Sequence, residues 1–267
     1  MTLDMRIGFI GSGGITSAIV RGLLSAPEFT GNVTLSVHKN REKAEALKAQ
    51  FPSRIEISED NREVAGRSDI IFIAVLPSQN EAVLRSLEFR TDQRVISVVG
   101  GAKIGDLTEL YKPARSVSRI IPLPFAARRM GPVLFYGSDP LSRELVAQLG
   151  ELVELSSERE FEILGPITGM MVPYYGIVAE TVKWSMEKGL SFRTALDYTT
   201  YMNEALSSYM RTDCTEDVEG FLRDNSTPGG VNELALKMLR EKGTYDEWSE
   251  TLDAVYDRYN SMAKNKK

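Results

Sequence analysis

Short runs of β-branched and aromatic residues, separated by amphipathic or polar stretches, recur through the first 157 residues of the chain and then stop. Such a pattern leaves few folds open. The runs become strands, the stretches between them become helices, and repeated strand–helix–strand units build a mostly parallel sheet with helices on its faces. The predicted strands are Arg6–Ile10, Val33–Val37, Ile55–Ile57, Ile70–Val75, Val95–Val98, Ser116–Ile121 and Val133–Phe135. The predicted helices are Ile15–Ser25, Arg41–Gln50, Gln79–Leu87, Ile104–Tyr111 and Leu141–Leu149. Ile70–Val75 has no polar alternation, as a central strand buried on both faces requires.

Beyond Ser157 only helical periodicity remains. This divides the chain into an α/β domain, 1–157, and an all-α domain, 158–267. Ala195, Tyr198, Met202, Ala205 and Tyr209 recur at steps of three and four, as do Trp248, Leu252, Val255 and Tyr259, so each set marks a helix with one buried face. Ile167–Val178 is apolar nearly all round. Its helix needs cover on more than one side, supplied by a second subunit or by a central place in its own small domain.

A formal net charge of −5 gives no long-range attraction to phosphate backbones or anionic lipid. Nucleic acid and membrane are therefore not expected partners, and no apolar run approaches the ~18 residues of a membrane span. Lys264, Lys266 and Lys267 read as a frayed helix end. One cysteine, Cys214, rules out an intrachain disulfide. The expected setting is cytoplasmic, and no metal site is expected.

The first chemical signal is the segment Arg6-Ile-Gly-Phe-Ile-Gly-Ser-Gly-Gly-Ile-Thr16. It places Gly11, Ser12, Gly13, Gly14 and Ile15 between a strand and a helix, where backbone N–H groups face a pyrophosphate at a helix N-terminus. This is a dinucleotide-binding turn of the Rossmann type, with Thr16 where the fingerprint has Gly or Ala. After the second strand, where NAD enzymes carry an acidic residue for the ribose, come His38, Lys39, Asn40 and Arg41. No carboxylate occurs from Thr30 to Arg41, and the cations suit a 2′-phosphate, so NADP(H) is the expected cofactor and NAD(H) the alternative. Val75, Leu76 and Pro77 end one strand and Gly100 follows another; both lie at the carboxyl edge, where open α/β sheets bind ligands.

In the second half, Thr227 is a candidate N-cap, Pro228 suits the first helical position, and Gly229 and Gly230 leave the first-turn amides unshielded. Such a helix start can bind a carboxylate.

With these pieces in order, the chain resembles the pyrroline-5-carboxylate reductases almost end to end. Ile7-Gly-Phe-Ile-Gly-Ser-Gly13 is similar to that family's opening turn, Ala74-Val-Leu-Pro77 to its A-V-K-P, Val95-Ile-Ser-Val-Val-Gly-Gly101 to its V-I-S-x-x-A-G, and Asp224-Asn-Ser-Thr-Pro-Gly-Gly230 to its D-x-V-T/S-S-P-G-G with one residue missing. Ile167-Thr-Gly169 with Tyr174 resembles L-S-G-S-G-P-A-Y. The resemblance implies a Rossmann domain, a helical domain interlocked in a homodimer that can build higher oligomers, and hydride transfer from NAD(P)H to the C=N carbon of a cyclic imino acid, yielding proline. The departures gather at the substrate end: Ile121-Pro-Leu-Pro-Phe125 for M-P-N-x-P, Met170-Met-Val-Pro173 for S-G-P-A, and Val231-Asn232 for a threonine pair.

A ketone reductase needs an acid beside the developing alkoxide, and the single histidine lies in the nucleotide half. A cyclic iminium already carries its proton, so imine reduction needs positioning more than acid catalysis. On this reading Thr168, Tyr174 and Thr227 serve catalysis, with Tyr175 an alternative phenol to Tyr174, while Gly229, Gly230, Val231 and Asn232 hold the substrate carboxylate. Two other readings stay open: a β-hydroxyacid dehydrogenase type with Lys183 as acid, and a non-catalytic NAD(P)-binding regulatory protein.

Overall fold

The computed structural model describes residues 2–37, 41–76, 83, 85–101 and 103–264, with side chains as far as residue 261. Among these, eight strands form one sheet in the order β3-β2-β1-β4-β5-β6-β7-β8. They are β1 Arg6–Ile10, β2 Asn32–Ser36, β3 Ile55–Ser58, β4 Ile70–Ile73, β5 Arg94–Ser97, β6 Ser116–Ile121, β7 Pro132–Tyr136 and β8 Glu151–Glu154. Every neighbouring pair is parallel except β6 and β7. The link between those two is a single 3₁₀ turn, Pro124–Arg128. A parallel return needs a crossover of a dozen or so residues, so this short link turns the chain back on itself.

The helices of this part are α1 Gly14–Leu24, α2 Arg41–Gln50, α3 Asn61–Arg67, α4 Ile104–Leu110, α5 Pro140–Val146 and α6 Glu158–Ile167. Strand pleating sends alternate residues to opposite faces. Ile70 and Phe72 of β4 join one buried cluster with Ile19, Leu23, Ala44, Leu47, Leu145 and Val146 from α1, α2 and α5. Ile71 and Ile73 join a second with Val64, Ala65 and Leu107 from α3 and α4. β4 is thus covered on both faces, as its unbroken apolar run predicts, and Phe9 of β1 stacks on Phe72 at 4.6 Å.

Two elements were not expected. α3 is short and polar but capped by Asp60, which accepts from the Arg62 amide. β8 is an edge strand with only Leu152 and Val153 as its apolar residues. The predicted helix Gln79–Leu87 falls mostly outside the described residues.

The chain folds into two compact units, Met1–Gly165 with Arg258–Lys267, and Pro166–Asp257. The boundary lies one helix later than the expected break after Ser157, because α6 seats Phe161 in a cluster with Leu134 and Leu155 of the sheet unit.

The second unit is helical: a 3₁₀ turn Thr168–Met170, then α7 Met171–Glu187, α8 Phe192–Asp213, α9 Val218–Asp224, α10 Val231–Glu241 and α11 Thr244–Lys264, whose last turns belong to the first unit. Gly189, at φ +100°, turns the chain between α7 and α8, and Ser191 caps α8 by accepting from the Thr194 amide at 3.1 Å. Val182 is the buried residue of α7, and Ala195 and Thr199 are those of α8. Tyr174, Tyr175, Ile177, Trp184, Tyr198 and Leu206 all stand exposed. Of the two apolar faces predicted from periodicity, that of α8 is largely exposed in the single chain beyond Ala195, whereas Trp248, Leu252, Val255 and Tyr259 of α11 are half-buried.

Candidate functional site

The order of strands reverses between β1 and β4, since β2 and β3 lie on one side of β1 and β4 to β8 on the other. At such a switch point the loops leaving the two central strands diverge, opening a crevice at their carboxyl ends. The glycine turn lies there. Gly11 has φ +107°, and a Cβ on it would stand 2.5 Å from the Ala74 carbonyl oxygen, so only glycine lets the β1 turn lie against the end of β4. Gly13 is the N-cap of α1, without a capping side chain, and no acidic residue occupies the first turn. A Cβ on Gly13 or Gly14 would meet nothing within 4 Å. The helix therefore presents bare amides and its positive end to an open space, the arrangement that fits a diphosphate.

Thr16 departs from the fingerprint yet supports it. Its side chain is buried and its hydroxyl donates to the Gly11 carbonyl at 2.9 Å. Ser17 makes the matching bond to the Gly13 carbonyl at 3.2 Å. Together they staple the turn to the first turn of α1.

The two neighbouring loops lie alongside. The Ala74 amide donates to Ile10 and the Val98 amide to Ile73, each at 2.9 Å, so the chain leaving β4 runs beside Gly11 and the chain leaving β5 runs beside that. Val75 is half-buried and Leu76 exposed; Gly100 is exposed, with open space at its Cβ position. The structure thus brings Gly11–Ile15, Val75, Leu76 and Gly100 to one edge of the sheet; Pro77 lies outside the described residues. Ile121-Pro-Leu-Pro-Phe125 runs from the end of β6 into the 3₁₀ turn, which packs on the last turns of α1 so closely that a Cβ on Gly22 would fall 2.2 Å from the Ala126 carbonyl oxygen.

At the ribose end, His38, Lys39 and Asn40 lie outside the described residues. Arg41 opens α2 with its guanidinium paired to Glu59 and, at 3.4 Å, to Glu45. Glu59 follows β3, so the fold brings a carboxylate to Arg41 from a part of the chain that a scan of residues 30–41 passes over. A 2′-phosphate binding here competes with that carboxylate for the guanidinium.

In the helical unit, Tyr174 packs its ring edge on Trp248 at 5.2 Å, and Gly169 abuts Val255 so closely that a Cβ would lie 2.9 Å from a methyl group. These contacts hold the Thr168–Met170 turn and the start of α7 against α11. Lys183 faces solvent and lies 3.6 Å from Glu180.

The segment from Thr227 corrects the expected helix start. The N-cap of α10 is Gly230, not Thr227. Pro228 and Gly229, the latter at φ +72°, form the centre of a turn closed by the Gly230 amide donating to Thr227 O at 2.8 Å. Proline followed by a positive-φ glycine is the signature of a type II turn, and it outcompetes helix initiation at Thr227. The amides of Val231, Asn232 and Glu233 precede the first intrahelical bond, from Leu234 to Gly230. Sequence reading missed Glu233: its carboxylate folds back and accepts from the Gly229 amide at 2.7 Å. The Asn232 side chain donates to Asn225 O at 3.4 Å. Among the described residues, no cluster of His, Cys, Asp and Glu could hold a metal ion, and no helix is long and apolar enough to cross a membrane.

Comparisons with known proteins agree with this geometry. Residues 6–101, from β1 through the loop after β5, match the family described as NADP oxidoreductase coenzyme F420-dependent. Over 248 residues the chain is 25% identical to pyrroline-5-carboxylate reductase 2 of Bacillus subtilis, covering 88% of this chain and 87% of that one. The crystal structure of 1-pyrroline-5-carboxylate reductase from Streptococcus pyogenes shares the fold with a TM-score of 0.82 at 21% identity, over 97% of this chain and 99% of its own. The Plasmodium falciparum pyrroline carboxylate reductase, solved with NADP bound, gives 0.80 at 18% identity, over 98% of this chain and 100% of its own. In sequence and in fold, across almost its whole length, the chain is similar to the pyrroline-5-carboxylate reductases.

Proposed function

We propose that this protein is an NADPH-dependent reductase of a cyclic imino acid, acting as the pyrroline-5-carboxylate reductases act, with proline biosynthesis as its setting and the cytoplasm as its location. The observation that carries the proposal is the stapled glycine turn at the switch point of a doubly wound sheet, in a chain whose relatives bear that name from end to end. When bound, NADPH supplies a hydride to the C=N carbon. The chain's own residues do the rest. Gly11, Ser12, Gly13, Gly14 and Ile15 hold the diphosphate, Val75, Leu76, Pro77 and Gly100 lie along the coenzyme, and His38, Lys39, Asn40 and Arg41 meet the 2′-phosphate. Gly229, Gly230, Val231 and Asn232 receive the substrate carboxylate, while Thr168, Tyr174 and Thr227 offer hydroxyls that orient the imine. An iminium arrives protonated, which fits a chain whose single histidine follows β2.

The working unit in this proposal is a homodimer built through the C-terminal helices. Support comes from the exposed apolar faces of α7 and α8, where Tyr198 is 71% exposed, and from an open apolar groove of about 750 Å³ between them, lined by Tyr175, Val182, Met186, Phe192 and Leu196. Monomeric proteins rarely leave so much contiguous apolar surface uncovered. Calorimetric titration with NADPH and NADH, followed by coenzyme consumption across a panel of cyclic imines, ketones and hydroxy acids, tests the activity. Binding of neither coenzyme refutes the proposal, and turnover of hydroxy acids that is lost in Lys183→Met replaces it with the dehydrogenase reading.

A further inference from the structure

A second polar cluster lies under the loop that leaves β5. Arg119 of β6 is only 6% exposed and is paired in register with Ser97, the last residue of β5. Its guanidinium donates to Glu158 Oε1 at 2.8 Å and lies 4.5 Å above the Phe161 ring. The same Glu158 oxygen accepts from the Ile104 amide at 2.6 Å. Ile104 is the first residue of α4, and the N-cap before it, Lys103, makes no side-chain cap. Glu158 thus serves as a long-range cap on α4, supplied by the first residue of α6.

Val98–Gly101 and Lys103, the described residues of this loop, therefore lie between two anchors on one strand. The loop leaves the sheet beside Arg119 and returns at an amide held by Arg119's partner. Between these anchors stand Gly100, with open space at its Cβ position, and Gly101, with φ +68°. This glycine pair lies at the sheet edge where the coenzyme is proposed to lie. A glycine loop has much conformational entropy to lose, and an anchor already made in the free protein lowers what binding must supply. Arg119 in turn has little freedom. It is shielded by Phe161 on one side, and it lies near the half-buried Tyr259 phenol, whose pKa is raised by burial in spite of the Arg119 charge.

We propose that Glu158, oriented by Arg119, is a positioning residue that preorganises the Val98–Lys103 loop for the reduced coenzyme. This rests on the reductase reading above. Two substitutions separate the function from simple structural support. Glu158→Ala removes the acceptor. Ile104→Pro removes the donor without touching the Glu158–Arg119 pair, and the backbone tolerates it: proline suits the first helical position, and Lys103 before it is extended at φ −86°, ψ 145°, as a residue preceding proline must be.

The variants and the wild type are compared by NADPH fluorescence titration, steady-state kinetics with pyrroline-5-carboxylate, thermal unfolding and amide hydrogen exchange. Both variants raise the NADPH Kd and KM by about tenfold, the equivalent of one lost charge-assisted hydrogen bond. Amides 98–103 exchange faster, and the substrate KM stays near the wild-type value. In Glu158→Gln the amide oxygen still accepts from Ile104, and NADPH affinity recovers to within about threefold. Unchanged NADPH constants in Ile104→Pro and Glu158→Ala, with or without a lower melting temperature, overturn the proposal. A wild-type protein that does not bind NADPH overturns the reductase reading first and this one with it.

Discussion

The Thr16 hydroxyl donates to the Gly11 carbonyl at 2.9 Å, closing the turn between β1 and α1 from inside the fold. Replacing Thr16 with valine keeps the volume and leaves the Gly11 carbonyl without that donor. The expected cost is about 1 kcal/mol of stability. NADPH affinity falls by about fivefold as the turn loosens. Chemical denaturation and fluorescence titration measure the two effects separately.

Gly11 and Gly13 respond differently to substitution although they are two residues apart. At Gly11 the positive φ and the nearby Ala74 carbonyl make alanine strained, and Gly11→Ala should cost about 2 kcal/mol of stability. Gly13 is extended at φ −77°, ψ −175° and faces open space. Gly13→Val should change stability by less than about 0.5 kcal/mol yet weaken NADPH binding by more than about tenfold, because the side chain fills the diphosphate space. A Gly13→Val protein that binds NADPH normally would place the diphosphate elsewhere.

Glu233 stands where the proposed substrate carboxylate approaches the start of α10. Its own carboxylate holds the Gly229 amide and repels a second anion. In Glu233→Ala the KM for a carboxylate-bearing imine should fall by about fivefold with NADPH binding unchanged. Asn232→Ala should instead raise that KM. A rise in both variants assigns Glu233 to substrate binding.

Asp139 joins β5 to the start of α5. It takes both oxygens to Arg94 Nε at 3.0 and 2.9 Å and caps α5 through the Ser142 amide and hydroxyl at 2.8 and 2.9 Å. Burial raises its pKa, but the two Ser142 bonds and Arg94 outweigh burial and leave it below the ordinary value. A depressed carboxylate pKa stabilises the fold above the unfolded value of about 3.9 and loses that contribution as pH falls through the folded value. Asp139→Asn should destabilise the protein by about 3 kcal/mol at neutral pH. It should also flatten the acid limb of the stability curve, read by urea denaturation between about pH 5 and pH 2.

Much of this arrangement was legible in the sequence, and the gaps have physical causes. The seven expected strands appear within a residue or two because each carries a β-branched run buried by tertiary packing. β8 escaped notice because an edge strand with one poorly buried face needs no such run. α3 is too short for periodicity to show, although Asp60 followed by Glu63 is a capping pattern that could have revealed it. The glycine turn was legible because backbone geometry demands glycine at Gly11 and the turn leaves bare amides at Gly13 and Gly14. Arg41, Glu158 and Glu233 were harder to place, since their roles depend on partners that the fold or a folded-back side chain brings to them. The start of α10 was misplaced because Pro228 suits the first turn of a helix and the second residue of a type II turn equally.

The most direct test of imine reduction follows the transferred atom. NADPH carrying deuterium at its transferable position is incubated with the protein and pyrroline-5-carboxylate, and the product is analysed by mass spectrometry. Proline bearing one deuterium at the former C=N carbon is the predicted result. Unlabelled product, or no proline from a protein shown to bind NADPH, would contradict it.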